Sequence, residues 1–99
     1  MADKELQEGI KAFEEALRYG AMASTREDLA GVEENYWIAF NRLKGSPVEE
    51  HRNICALCLE AVARILDGEG RPSAADDLRR QAVSLRRSDG RDASRISKG

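Results

Sequence analysis

The amino-acid sequence predicts an all-α protein, arranged either as an up-down four-helix bundle or as two stacked helical hairpins, with a flexible basic C-terminal tail. Three observations carry this reading. Aromatic residues make up only 5% of the chain while Ala, Leu, Glu and Arg are abundant, a balance that favours helix over sheet. Capping motifs divide the chain into four segments. Within each segment, large apolar residues recur at steps of three and four rather than two.

The first helix is expected near 3–22. Leu6, Ile10, Phe13, Leu17 and Gly20 follow a 4-3-4-3 pattern that sets them on one stripe, read as core. The second, near 25–44, begins at "STRED", where Ser24 and Glu27 form a capping box: the hydroxyl takes a free amide and the carboxylate reaches back to the cap. Its stripe is Leu29, Val32, Tyr36, Phe40 and Leu43, with Trp37 at the margin and Ile38 facing solvent. "KGSPVEE" opens the third, near 47–67. Here Gly45 suits a left-handed C-terminal position, Ser46 caps, Pro47 fits the first turn and Glu49 completes the box. Ile54, Cys55, Leu57, Cys58, Leu59, Ala61, Val62, Ile65 and Leu66 cover more than half of its circumference, so this helix should be the most buried, with Arg52, Glu60 and Arg64 at its wet edge. "DGEGRPSAAD" supplies glycines, Pro72, and Ser73 followed by Asp76, a stop and a fresh start for the fourth helix, near 73–87. Ala75, Leu78, Ala82 and Leu85 give it one thin apolar stripe, and residues 88–99, small and polar, read as a tail.

Short connections make neighbouring helices antiparallel, but periodicity does not separate a closed bundle from stacked hairpins. Residues 58–82 loosely resemble one tetratricopeptide unit. Cys58, Ala61, Val62 and Ile65 occupy its first-helix contact positions, and a glycine-bearing turn leads to Ala74 and Leu78. The next small residue, Ala82, falls one place late for that motif, and no earlier copy of the unit is present. The chain is not assigned to that family.

At 99 residues the chain has the size of one domain, taken as 1–87, with a single core and little room for an embedded cleft. "MADKELQEG" is polar and acidic, and the longest apolar run, "ICALCL", is far too short to span a membrane, so a cytoplasmic location and no membrane partner are expected. The net charge of −2 hides a polarity: residues 1–70 carry eight Lys/Arg against fourteen Asp/Glu, and residues 71–99 carry eight against four.

"HRNICALCLE" holds the single histidine and both cysteines. With His51 at zero on a helical wheel, Cys55 falls near about 40° and Cys58 near about 340°, in the middle of the apolar face. A structural zinc ion wants four ligands. His51 and Cys58 lie roughly 10.5 Å apart along the axis, and no other histidine or cysteine exists to complete a set. Packing is therefore the expected use of both thiols, with a metal or thiol-redox site at His51, Cys55 and Cys58 as the alternative. No cofactor is implied.

Adjacent acidic pairs (Glu14 and Glu15, Glu33 and Glu34, Glu49 and Glu50) point about 100° apart on a helix and read as solvated faces. Of these, Glu33 lies nearest the apolar stripe. "GEGRPS" lacks the lysine and spacing of a nucleotide cradle. Catalysis is not expected. The basic fourth helix and tail could track phosphates, but Asp76, Asp77, Asp89 and Asp92 are interleaved and no aromatic residue follows Phe40. Nucleic acid is thus the alternative to the preferred reading, a small non-catalytic module that binds another protein or a second copy of itself as a dimer. Its partner-binding candidates are Tyr36, Trp37, Ile38 and Phe40 as an apolar anchor, with Arg79, Arg80, Arg86 and Arg87 steering an acidic surface.

Overall fold

In a computed structural model that describes residues 2–87, four helices follow one another: α1 (Ala2–Gly20), α2 (Arg26–Leu43), α3 (Glu49–Gly68) and α4 (Pro72–Arg87). The tail reading for 88–99, with Arg91, Arg95 and Lys98, lies outside the described residues. α1 packs on α2, α3 packs on α4, and α2 joins the two pairs through α3, while no comparable packing links α1 to α4. A closed bundle would need that last contact. The fold is two helical hairpins laid side by side, 17 Å along its shortest dimension and 49 Å along its longest.

The helix boundaries follow local chemistry, with corrections to the sequence reading. Thr25, not Ser24, caps α2. Its hydroxyl accepts from the Asp28 amide at 3.0 Å, and the Asp28 carboxylate accepts from the amides of Ser24 and Thr25. The box is shifted by one residue because Thr25 and Asp28 have the same spacing as Ser24 and Glu27. At the start of α3 the expected cap is absent: Val48 is the N-cap and makes no side-chain cap bond. The Ser46 hydroxyl is used otherwise, accepting from the Val48 amide at 3.2 Å and bonding His51 Nδ1 at 2.7 Å, which ties the turn to the first turn of the helix. Gly45 is not left-handed; Gly70 is, with φ of 77°. There the Arg71 amide donates to the Leu66 carbonyl and the Gly70 amide to the Asp67 carbonyl, the double bond of a Schellman ending. Pro72 is the first residue of α4, where its missing N–H costs nothing.

Small residues set the spacing between helices. In α1 the fully buried positions are Gly9, Ala12 and Ala16, and the expected stripe is displaced: Leu6, Ile10 and Phe13 are half-buried and Leu17 is 51% exposed. The reason is that α1 has one packed neighbour and approaches it through residues with little or no side chain. Buried Ala56 and Ala63 of α3 and Ala75 and Ala82 of α4 repeat this in the second hairpin. Leu57, expected inside, is 44% exposed, because it lies opposite the Ala56, Leu59 and Ala63 side of α3. One core cluster runs through all four helices, from Ala12 and Ala16 by way of Val32, Tyr36 and Val62 to Ala75. A second gathers Ala56, Leu59 and Ala82. Trp37 and Phe40, in edge-to-face contact at 5.7 Å, pack against both.

Ion pairs flank the seams. Glu60 takes both terminal nitrogens of Arg86, and Asp67 pairs with Arg79, so two links spaced seven residues apart fix the antiparallel register of α3 and α4. Arg42 of α2 meets Glu8 of α1 at 3.3 Å.

Two expectations follow. A Cβ on Gly9 would stand 2.9 Å from Arg42 Cβ and Leu43 Cγ, whereas one on Gly31 meets nothing within 4 Å. Overpacking costs about 1–3 kcal/mol against a gain of about 1 kcal/mol in helix propensity. Gly9→Ala should therefore lower the urea midpoint and Gly31→Ala should raise it, with unchanged slopes. The second concerns pH. The hydrogen bond from Arg86 holds the Glu60 carboxyl below its ordinary range. Its stabilising contribution is present above the unfolded-state value and is lost as pH falls through the folded one. Arg86→Gln should accordingly lower the thermal midpoint at about pH 7 and leave it nearly unchanged at about pH 2.

Candidate functional site

α1 and α3 both lie against α2 but scarcely meet, and between their C-terminal halves the chain leaves a groove of about 600 Å³. Its position is fixed by the three helix ends just described. α1 stops at Gly20, the Thr25 box starts α2, and the Gly70 turn ends α3, so three termini border one depression. The floor comes from α2, with Leu29, Val32 and Tyr36. Leu17 and Gly20 form the α1 wall, and Ala61, Arg64 and Ile65 the α3 wall. Ser24, Thr25 and Arg26 close one end and Gly68 and Glu69 lie at another.

Two kinds of group meet there. Leu17, half-exposed, with partly buried Leu29 and Ile65, presents apolar surface that α1 and α3 would cover if they touched. The polar groups are Tyr36, Arg26 and Arg64. Tyr36 is 6% exposed, its ring tilted against Phe13 at 6.3 Å, and its hydroxyl makes no hydrogen bond to any described residue. Burial raises the pKa of its phenol, as does the nearby Cys58, while the Arg64 guanidinium opposes them, so that cation acts electrostatically on the hydroxyl. Neither Arg26 nor Arg64 forms a salt bridge among the described residues.

The residues singled out from the sequence are distributed over two faces. Tyr36 is buried, as its place on the apolar stripe of α2 predicts, and it also lines the groove. Trp37 and Phe40 are half-buried between the clusters, and the Trp37 indole donates to Glu33 at 3.3 Å. Ile38 is 39% exposed, as expected. Arg79 is bound to Asp67 and Asp76, Arg80 to Asp77, and Arg86 to Glu60. Arg87 is exposed without a carboxylate partner among the described residues. The structure does bring Phe40 and Arg80 to one shallow depression, and Arg79, Arg80 and Arg87 to another on the outer face of α4, away from Tyr36. Leu17, Arg26, Arg64 and Ile65 were not singled out. Leu17 and Ile65 look like core in a helical pattern, and only the missing contact between α1 and α3 turns them into a surface.

His51, Cys55 and Cys58 do not converge. His51 is held by Ser46, Cys55 Sγ lies 3.8 Å from the Phe40 carbonyl oxygen, and both sulfurs are buried. Among the described residues, no group of three or more His, Cys, Asp or Glu side chains is placed to hold a metal ion. Burial pushes the Cys55 thiol up to about 11 and the Cys58 thiol up to about 12. The thiols thus stay protonated at neutral pH, and thiolate is the reactive form. Reaction with iodoacetamide at about pH 8 should be far slower in the native protein than in denaturant, followed by mass spectrometry. Rapid native labelling of either cysteine would contradict this placement.

No helix among the described residues is long and apolar enough to cross a membrane. No protein-family model, no curated protein and no solved structure matches the chain.

Proposed function

We propose that this chain is a non-catalytic helical module that binds another protein, and that the groove between α1, α2 and α3 receives part of that partner. The observation that carries the reading is the groove itself: about 600 Å³ of open concave surface where Leu17, Leu29 and Ile65 meet a Tyr36 hydroxyl without a hydrogen bond, and Arg26 and Arg64 without salt bridges, among the described residues. A volume of this order takes several side chains of a bound segment. Exposed Tyr19 and Met22, at 47% and 67%, add apolar surface at a second depression beside the turn between α1 and α2, which shares Val32 with the groove.

The competing readings draw less support. Three of the four arginines of α4, the helix considered with the tail for phosphate contact, already hold carboxylates of the same chain, which leaves fewer cations for a nucleic-acid backbone. Two buried, protonated thiols are poor metal ligands and poor nucleophiles.

Leu17→Lys tests the site, because the side chain is half-exposed and the change is expected to leave the fold intact. Affinity purification from the native host should recover a partner with the wild-type chain and lose it with the variant, a loss of at least about tenfold. An unaltered partner set with a folded variant removes the groove from consideration.

A further inference from the structure

Resting on that reading of the groove, we infer that its occupant is an acidic, leucine-rich segment of a partner protein, with a glutamate or aspartate side chain seated at Tyr36 between Arg64 and Arg26. Three features single out this chemistry. Tyr36 is more than nine-tenths buried as a residue and lines the groove, and its hydroxyl, still open to solvent, makes no hydrogen bond to a described residue and is free to donate. Arg64 acts on that hydroxyl from the α3 wall, and Arg26 stands at the end of the groove where α2 begins. Both cations are without salt bridges among the described residues, as are Arg18, Arg52, Arg71 and Arg87, but of these six only Arg26 and Arg64 line the groove. The positive end of the α2 dipole lies on the same side and favours the same charge. Among the described residues, Glu69 is the one carboxylate that lines the groove.

The apolar part of the recognition comes from Leu17, Leu29 and Ile65, which suit branched aliphatic side chains beside the acid. A carboxylate placed between these walls meets a lower dielectric than in bulk water, which strengthens its bonds to Tyr36 and Arg64. The chain's own C-terminal residues fit poorly, since Arg91, Arg95 and Lys98 outnumber Asp89 and Asp92 there and would repel Arg26 and Arg64.

The test uses the full chain, isotope-labelled, titrated with three acetylated and amidated peptides on one leucine-serine frame, carrying Glu, Gln or Lys at the same positions. The readout is the shift of the Arg64 and Arg26 Nε–H and Tyr36 ring signals. The Glu peptide should bind about tenfold more tightly than the Gln peptide, with the Lys peptide weaker still. Raising salt should erode the preference. Arg64→Gln and Tyr36→Phe should each narrow the ratio of affinities between the Glu and the Gln peptide. Equal affinity for all three peptides at these residues overturns the acidic assignment and leaves the groove standing. A Glu peptide that binds only with a free C-terminal carboxylate, or that shifts residues elsewhere, overturns it as well. So do concentration-dependent shifts of the same signals without peptide, which would make a second copy the occupant. The Leu17→Lys purification decides separately whether the groove is used at all.

Discussion

The separation between α1 and α2 is set by the absence of a side chain. At Gly9 the first hairpin closes so far that one carbon atom more would collide with Arg42 and Leu43. Alanines hold the second hairpin to a similar economy at Ala56, Ala63, Ala75 and Ala82. Helices that approach this closely exclude water with backbone and methyl groups, and their larger side chains are displaced toward the flanks. That displacement explains why Leu17 lies half in solvent, and why Trp37 and Phe40 fill the junction between hairpins rather than the middle of either one.

From this constraint the groove follows without any further device. α2 is the shared floor of both hairpins, and α1 and α3 stand on either side of it. Where a bulky contact between α1 and α3 would have closed the gap, the α1 side offers Leu17 and Gly20 and the α3 side offers Ala61, Arg64 and Ile65. The ion pairs do different work. Glu60 with Arg86 and Asp67 with Arg79 hold the outer seam in register, and in doing so they consume the arginines that otherwise look available for a ligand.

Most of the architecture was legible in the residues. The helix count, the heavy burial of α3 and the thin stripe of α4 were read from apolar steps and cap chemistry, and the ends near Gly70 and Pro72 from glycine and proline. Cap assignment failed where a hydroxyl had two uses, as at Ser46, which bonds His51 instead of closing the helix. The buried face of α1 failed for a different reason: a large-residue stripe is easily seen, whereas Gly9, Ala12 and Ala16 form a seam only once the partner helix is known. The groove was illegible on the same ground, because it is made by a contact that does not occur. Tyr36 was placed on the core stripe of α2 and also among the anchor residues, and the sequence carries no mark that it would line a groove shared with Arg64.

The single tryptophan of the chain stands at the junction of the two core clusters, against Phe40 and with its indole nitrogen on Glu33. Its fluorescence therefore reports the docking of one hairpin on the other rather than the folding of either alone. A loosening of that docking would let water reach the indole and redden its emission while helical circular dichroism held steady. The molecule in this way carries an intrinsic optical gauge of how its two hairpins are docked.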